Sequence, residues 1–209
     1  MNKDQLFKRT IAFKKEDFEA HRELFKEIGR GQKPHTLFIG CSDSRVVPNL
    51  ITKALPGELF VVRNIANLVP PYRDRADYFA TSSAIEYAVL VLEVDNILVC
   101  GHSNCGGCNA LYYPKEKLNK TPAVKKWLEL AKDVKEEVEM LGFDKDPAER
   151  EWITEQINVV KQLENLKTYP FVKERIDSGK LHLIGWHYII ETGEVFNYNE
   201  ETSSFELIR

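Results

Sequence analysis

The sequence predicts an α/β fold: a central, mainly parallel β-sheet with flanking helices, an N-terminal helical arm and an antiparallel C-terminal edge strand. Three observations predict it. Short apolar runs alternate with longer stretches of helical period, as in βαβ units with right-handed crossovers. Two of these runs, Leu37 to Ile39 and Asn96 to Gly101, stop at a glycine and open into clusters of Cys, His, Asp and Arg. Ligands in open α/β sheets bind beyond the carboxyl ends of the strands. Finally, Glu191-Thr192-Gly193-Glu194 joins two strand-like runs as a hairpin turn.

Residues 4 to 29 read as one or two amphipathic helices, with Phe18, His21, Leu24, Phe25 and Ile28 on one face and Gly29 as the stop. The sheet does not require this arm, which would cover the sheet or pack on a second subunit. The first strand runs from His35 to Gly40. Pro48 suits the first turn of a short helix through Ala54, and Pro56-Gly57 makes a turn. The second strand, Glu58 to Val62, leads through Arg63-Asn64 into a loop with Pro70-Pro71-Tyr72 and the charges Arg73, Asp74, Arg75 and Asp77, expected to be exposed. Tyr78 to Glu93 has the strongest helical pattern, with Ala84, Ile85, Ala88, Val89 and Leu92 along one face. The third strand follows at Asn96 to Gly101, and a helix starts at Cys105. From Thr121 to Lys167 the chain is helical and highly charged, a solvated face in the main, with Pro147 beginning a new helix. Pro170 to Ser178 is a further helix closed by Gly179. Leu181 to Ile190 is the fourth strand, and Val195 to Tyr198 the last.

The 209 residues suit a single domain, 1–209, made of a helical arm (1–30) and an α/β core with C-terminal helices and hairpin (35–209). A hydrophobic fraction of 43% beside a charged fraction of 29% places the chain among globular proteins, and a net charge of -3 gives no reason to expect nucleic acid as a partner. No apolar stretch approaches the ~18 residues of a membrane span. The first residues, Met1-Asn2-Lys3-Asp4-Gln5, lack the basic-then-apolar order of a signal peptide, so a cytoplasmic location is the default expectation. The four cysteines, Cys41, Cys100, Cys105 and Cys108, are too few for a disulfide scaffold in a chain this long; clustered with histidine they point to metal binding or catalysis.

Zinc favours thiolate and imidazole ligands, and catalytic zinc sites keep three protein ligands and one open position. Cys41, His102 and Cys105 make such a set: two share one loop and the third comes from another strand end. Cys105 also begins a helix, whose positive end favours a thiolate. Asp43 and Arg45 discriminate between kinds of site. A structural zinc site has no use for them, whereas in a catalytic one Asp43 accepts a hydrogen bond from the activated water and Arg45 keeps Asp43 ionised and oriented. Asp43 would otherwise close the site as a fourth ligand. Taken singly, a cysteine after a strand is a small buried hydrophobe, and an Asp and Arg two apart are a loop ion pair. Cys105-Gly106-Gly107-Cys108 also matches the C-x-x-C pattern of thiol redox proteins. That alternative leaves Cys41 and His102 unexplained, and Cys100 and Cys108 read more simply as core residues. A non-catalytic zinc domain that binds a partner leaves Asp43 and Arg45 unexplained.

CSDSR at 41–45, Arg63-Asn64, and His102-Ser103-Asn104-Cys105-Gly106-Gly107 at this spacing resemble the β-class carbonic anhydrases, over a span from the N-terminal helices to the last strand. Residues 61–71, VVRNIANLVPP, are similar to the plant-type branch, and 185–193, GWHYIIETG, to forms from epsilon-class bacteria. The resemblance implies a zinc enzyme for CO2 + H2O ⇌ HCO3⁻ + H⁺, by attack of zinc-bound hydroxide on CO2. Its ligands would be Cys41, His102 and Cys105, its catalytic pair Asp43 and Arg45, and its substrate pocket Gln32, Phe60, Ile65, Tyr87 and the backbone of Gly106. Without the resemblance Phe60, Ile65 and Tyr87 would be core residues. Some pocket residues in the family come from a second subunit, which implies a homodimer or a higher homo-oligomer of dimers. A related group on the same scaffold hydrolyses carbon disulfide and is the alternative activity. Part of the family also has an allosteric bicarbonate pocket with a Trp three residues before the first Cys ligand. Here that residue is Phe38, which has no N–H to donate, so no such pocket is expected although Arg63 holds the family's anion-binding position. For the proton acceptor, His21, His35, His182 and His187 are the candidates, and a core or surface role is the simpler account of each.

Overall fold

The computed structural model describes residues 2–73, 79–143 and 145–209, in one unit ending at Lys33 and a second, Pro34–Arg209. Tyr78, Asp74, Arg75 and Asp77, assigned above to a helix start and an exposed loop, lie outside the described residues; Arg73 is exposed as expected.

The first unit holds three helices where one or two were expected: α1 (Lys3–Lys15), α2 (Asp17–Ala20) and α3 (Arg22–Ile28). Asn2 and Gln5 start α1 with a reciprocal capping box, each side chain accepting the other's backbone N–H at 2.9 Å. The breaks fall at turns on Glu16 and His21, and the His21 backbone leaves helical geometry. Phe25 collects Phe18, stacked at 5.0 Å, and Phe13, edge-on at 6.2 Å, across those breaks. Phe18, Leu24, Phe25 and Ile28 are half-buried, but His21 is exposed and bonds Asp17 O, so it leaves the predicted face.

In the second unit the apolar runs become β1 (Thr36–Cys41), β2 (Leu59–Asn64), β3 (Asn96–His102), β4 (His182–Tyr188), β5 (Val195–Asn199) and β6 (Ser204–Leu207). They form one sheet in the order β2-β1-β3-β4-β5-β6, parallel from β2 to β4 and antiparallel from there on. The expected antiparallel strand after the hairpin is β5, and β6 pairs outside it, so the edge is one strand further out. Gly193, at φ 79°, makes the hairpin turn.

The helices are α4 (Pro48–Thr52), α5 (Phe79–Glu86), α6 (Gly106–Asn109), α7 (Pro122–Leu128), α8 (Lys132–Met140), α9 (Pro147–Lys167) and α10 (Pro170–Asp177). α5 was expected to run regularly to Glu93. Instead it widens into a π turn, Tyr87–Val91, closed by Leu92 N–H to Tyr87 O at 3.0 Å. The expected face is nonetheless the inner one, with Ile85, Ala88 and Val89 buried and Ala84 and Leu92 half-buried, while Tyr87, Leu90 and Val91 lie outside.

β1 and β3 lie at the centre and are buried on both faces, which is why they read as continuous apolar runs. Leu37, Ile39, Ile97 and Val99 face a core shared with Val159, Leu163 and Leu166 of α9, while Phe38, Leu98 and Cys100 face the other side. Gly101 and Gly185 admit α9. A Cβ on Gly101 would stand 2.6 Å from Val159 Cγ2, and one on Gly185 would stand 2.9 Å from Leu163 Cδ1. That close approach brings α9 over the carboxyl end of β3.

Candidate metal centre

Cys41 ends β1 and His102 ends β3, adjacent parallel strands, so both arrive at the same edge of the sheet. The loop after β3 stays against β4 through Ser103 N–H to Tyr188 O at 2.9 Å, and turns back at Asn104, whose φ is 54°. This turn delivers Cys105, the residue capping α6. Cys41, His102 and Cys105 are all buried, and one ligand atom from each falls within 4.8 Å of the others. The two Sγ atoms are 4.0 Å apart. Two thiolates on a tetrahedral zinc at ~2.3 Å stand about 3.8 Å from one another, so the pair is already spaced for the ion.

His102 Nδ1 donates to Ser103 O at 2.9 Å, which leaves the lone pair on Nε2. Nε2 is buried and, among the described residues, has no hydrogen-bond partner. Such an orphan fits a metal ligand whose other nitrogen is held by a carbonyl. The neighbouring Cys105 thiol and burial push Cys41 up to about 12, and the Cys108 thiol and burial hold Cys105 well above the ordinary thiol range. Both thiols must give up their protons to a metal, so binding at this site releases protons and depends on pH.

Asp43 lies beside this cluster, Oδ2 4.0 Å from His102 Nε2. Arg45 grips it as a fork: Nε to Oδ1 at 2.9 Å, Nη2 to Oδ2 at 2.7 Å, with the Arg45 backbone N–H also on Oδ1 at 3.0 Å. The fork holds the Asp43 carboxyl well below the usual carboxylate range. Arg45 Nη2 reaches on to Asn104 O at 3.0 Å, joining the two ligand loops. Arg63 straps the first loop from beneath, through Nε to Cys41 O at 2.9 Å and Nη2 to Asp43 O at 2.5 Å. Its guanidinium is therefore engaged with the loop, and Phe38 is fully buried.

Phe60 of β2 and Tyr87 of the π turn face each other with ring centroids 5.9 Å apart. Ile65 begins the 3₁₀ turn Ile65–Asn67 after β2, and Gly107 of α6 packs against Ile65 and Ala66. Gly106 is exposed at the start of α6. Gln32 belongs to the first unit, in the exposed chain after α3. Cys100 and Cys108 are core residues: burial pushes Cys100 up to about 12, and Cys108 accepts a 3.7 Å contact from Asn158 Nδ2. Cys108 lies outside the three-residue cluster. Of the histidines, His35 and His182 lie at the amino ends of β1 and β4, away from the site. His187 is fully buried, which removes it as a proton donor to buffer.

The sequence reading missed Glu155. It is 2% exposed, and its Oε1 accepts the backbone N–H of Cys105 at 2.8 Å while Oε2 lies 3.0 Å from His187 Nε2. A signal was present: Glu155, Asn158 and Gln162 fall within the same helical stripe as Val159, Leu163 and Leu166, all buried. Charge in the surrounding stretch hid it.

A model of the carbonic anhydrase family matches residues 36–195. A carbonic anhydrase of Helicobacter pylori strain J99 is 42% identical over 207 residues, covering 98% of this chain and 94% of that protein. The solved β-carbonic anhydrase CcaA superposes with a TM-score of 0.93 at 38% identity, covering 98% of each chain. A β-carbonic anhydrase of the ascomycete Sordaria macrospora, described as tetrameric, superposes with a TM-score of 0.82 at 31% identity, covering 93% of this chain and 95% of that one.

Proposed function

Since the chain belongs to the carbonic anhydrase family, in its β class, and is an enzyme of reversible CO2 hydration, we propose that Cys41, His102 and Cys105 hold a zinc ion for that reaction and that Asp43 and Arg45 are its catalytic pair. One observation carries the reading: two thiols and an orphaned imidazole nitrogen converge within 4.8 Å at the ends of adjacent parallel strands.

Zinc held there supplies Lewis-acid activation of water near neutral pH. Asp43 Oδ2, the carboxylate oxygen nearer His102, accepts a hydrogen bond from the attacking water and orients its lone pair towards CO2. Arg45 keeps both Asp43 oxygens occupied, so that Asp43 stays an acceptor and does not enter as a fourth ligand. Phe60, Ile65 and Tyr87 give CO2 an apolar wall. The Gly106 backbone supplies a polar contact to its oxygens, and other pocket groups cross from a second subunit. The chain works within a homodimer or an oligomer of dimers, and the buried thiols suit a reducing cytoplasm.

Stopped-flow CO2 hydration by the zinc-replete protein, with zinc counted per chain, tests the reading. One zinc per chain and rapid hydration are expected. Carbon disulfide hydrolysis without CO2 hydration, or full activity without zinc, contradicts it.

A further inference from the structure

α9 crosses the carboxyl end of β3 at Gly101, where a Cβ would stand 3.5 Å from the carbonyl oxygen of Glu155. Glu155 is thereby set directly behind the ligand loop. Glu155 is 2% exposed, a costly placement for a carboxylate unless both oxygens find donors. Both do. Oε1 takes the backbone N–H of Cys105 at 2.8 Å, and Oε2 takes Nε2–H of His187 at 3.0 Å. His187 is fully buried on β4, paired in register with Gly101, and held edge-on by Trp152 at 4.8 Å between ring centroids. Its Nδ1 has no partner among the described residues. Among the described residues the imidazole thus makes one hydrogen bond, and that bond steadies the carboxylate. An N–H donated to a carboxylate is held more tightly than one donated to a neutral carbonyl. This N–H belongs to the residue whose backbone (φ -75°, ψ 110°) aims Sγ at Cys41.

We propose that Glu155, braced by His187, is a positioning residue for the metal ligand Cys105 and sets how firmly the metal is held. The proposal rests on the reading of Cys105 as a ligand. Glu155 touches neither substrate nor metal; it acts through the backbone of residue 105.

The test follows zinc transfer from the loaded protein to a chromophoric chelator, and the thiolate-to-metal charge-transfer band of the cobalt-substituted protein. Outer partners of ligands typically change metal affinity ~10–100-fold. Glu155→Ala should release zinc faster by about that factor and shift or weaken the cobalt band. Glu155→Gln keeps a carbonyl for the Cys105 N–H and should hold zinc within several-fold of the native rate. Native release with an unaltered band in Glu155→Ala overturns the proposal. So does a Glu155→Gln as impaired as Glu155→Ala, because the effect then belongs to buried charge and not to the acceptor. Should Glu155→Ala fail to fold, His187→Phe decides: it keeps the ring and removes the donor, and native release from it overturns the bracing. Cys105→Ser separates the two levels of the argument. Stoichiometric zinc in that variant defeats the ligand reading itself, whereas its loss beside a native Glu155→Ala defeats only this proposal.

Discussion

The carboxylate of Asp43 has Oδ1 on the backbone N–H and Nε of Arg45 and Oδ2 on its Nη2, with Oδ2 also 4.0 Å from His102 Nε2. Without Arg45 the shortest route for that anion is into the metal cluster. Arg45→Ala should therefore keep zinc and lose hydration activity ~10–100-fold. A crystal structure of Arg45→Ala with Asp43 still turned away from the metal contradicts this account. The same grip fixes a pH expectation. A carboxyl with a depressed folded-state pKa stabilises fully above its unfolded value, ~3.9, and the contribution disappears only as pH falls through the lower folded value. The difference in Tm between the native protein and Asp43→Asn should thus be the same at pH 5.5 and 8.5; a difference that shrinks towards pH 5.5 places the Asp43 titration where the structure does not. For the ligands, Cys41→Ser and His102→Ala should each lose zinc and activity, while Cys108→Ser keeps both. Zinc retained in either of the first two, or lost in the third, would reassign the ligands.

At the level of elements, α6 and the turn after β2 touch backbone to backbone. A Cβ on Gly107 would stand 2.8 Å from Ala66 Cβ and 3.0 Å from Ala66 N, and Ala66 sits at φ 62°, where a side chain is already unfavourable. Gly107→Ala should destabilise the protein by about 1–3 kcal/mol. Adding Ala66→Gly, which removes the nearest atom and suits the left-handed backbone, should recover part of that loss in a denaturant titration. Equal stabilities of single and double variants would show that the contact is slack. These elements differ in how far they were legible. β1 and β3 were, because a strand buried on both faces is a continuous apolar run. The ligand loops were, because Cys, His, Asp and Arg at two strand ends have few plain explanations. β6 was not: Ser204-Phe205-Glu206-Leu207 is four residues with one half-buried aromatic. Nor was Glu155 read, because its place in the stripe of Val159, Leu163 and Leu166 is masked by the charge of the surrounding helix. The π turn at Tyr87 was also invisible, since it adds a residue to one turn while the expected apolar face, Ile85, Ala88 and Val89, stays buried.

For the whole molecule, the exposed apolar surface carries the remaining argument. β2 is an edge strand with Val61 40% exposed, and α5 with its π turn presents Phe79 at 67%, Leu90 at 52% and Val91 at 61%. Covering these partly exposed side chains would add part of the ~1.5–3 kcal/mol that full burial of one is worth, and apolar surface left exposed on a protein can mark an interface. Among the described residues no helix is long and apolar enough to cross a membrane, so a lipid-spanning helix does not account for them. Tyr87 begins the same π turn and faces Phe60 of β2, which couples this surface to the proposed substrate pocket. A second copy seated here would cover the apolar residues and complete the pocket together. Leu90→Glu with Val91→Glu places two carboxylates in that contact, while Ala88 and Val89 keep the turn's buried side intact. Sedimentation velocity at micromolar concentration should find the native protein as a dimer or a multiple of it, and the double variant as a monomer. The monomer should retain zinc and lose hydration activity by ~10-fold or more, as when substrate-positioning groups are displaced. A native monomer of full activity, or a monomeric variant as active as the native enzyme, would remove the second subunit from the site.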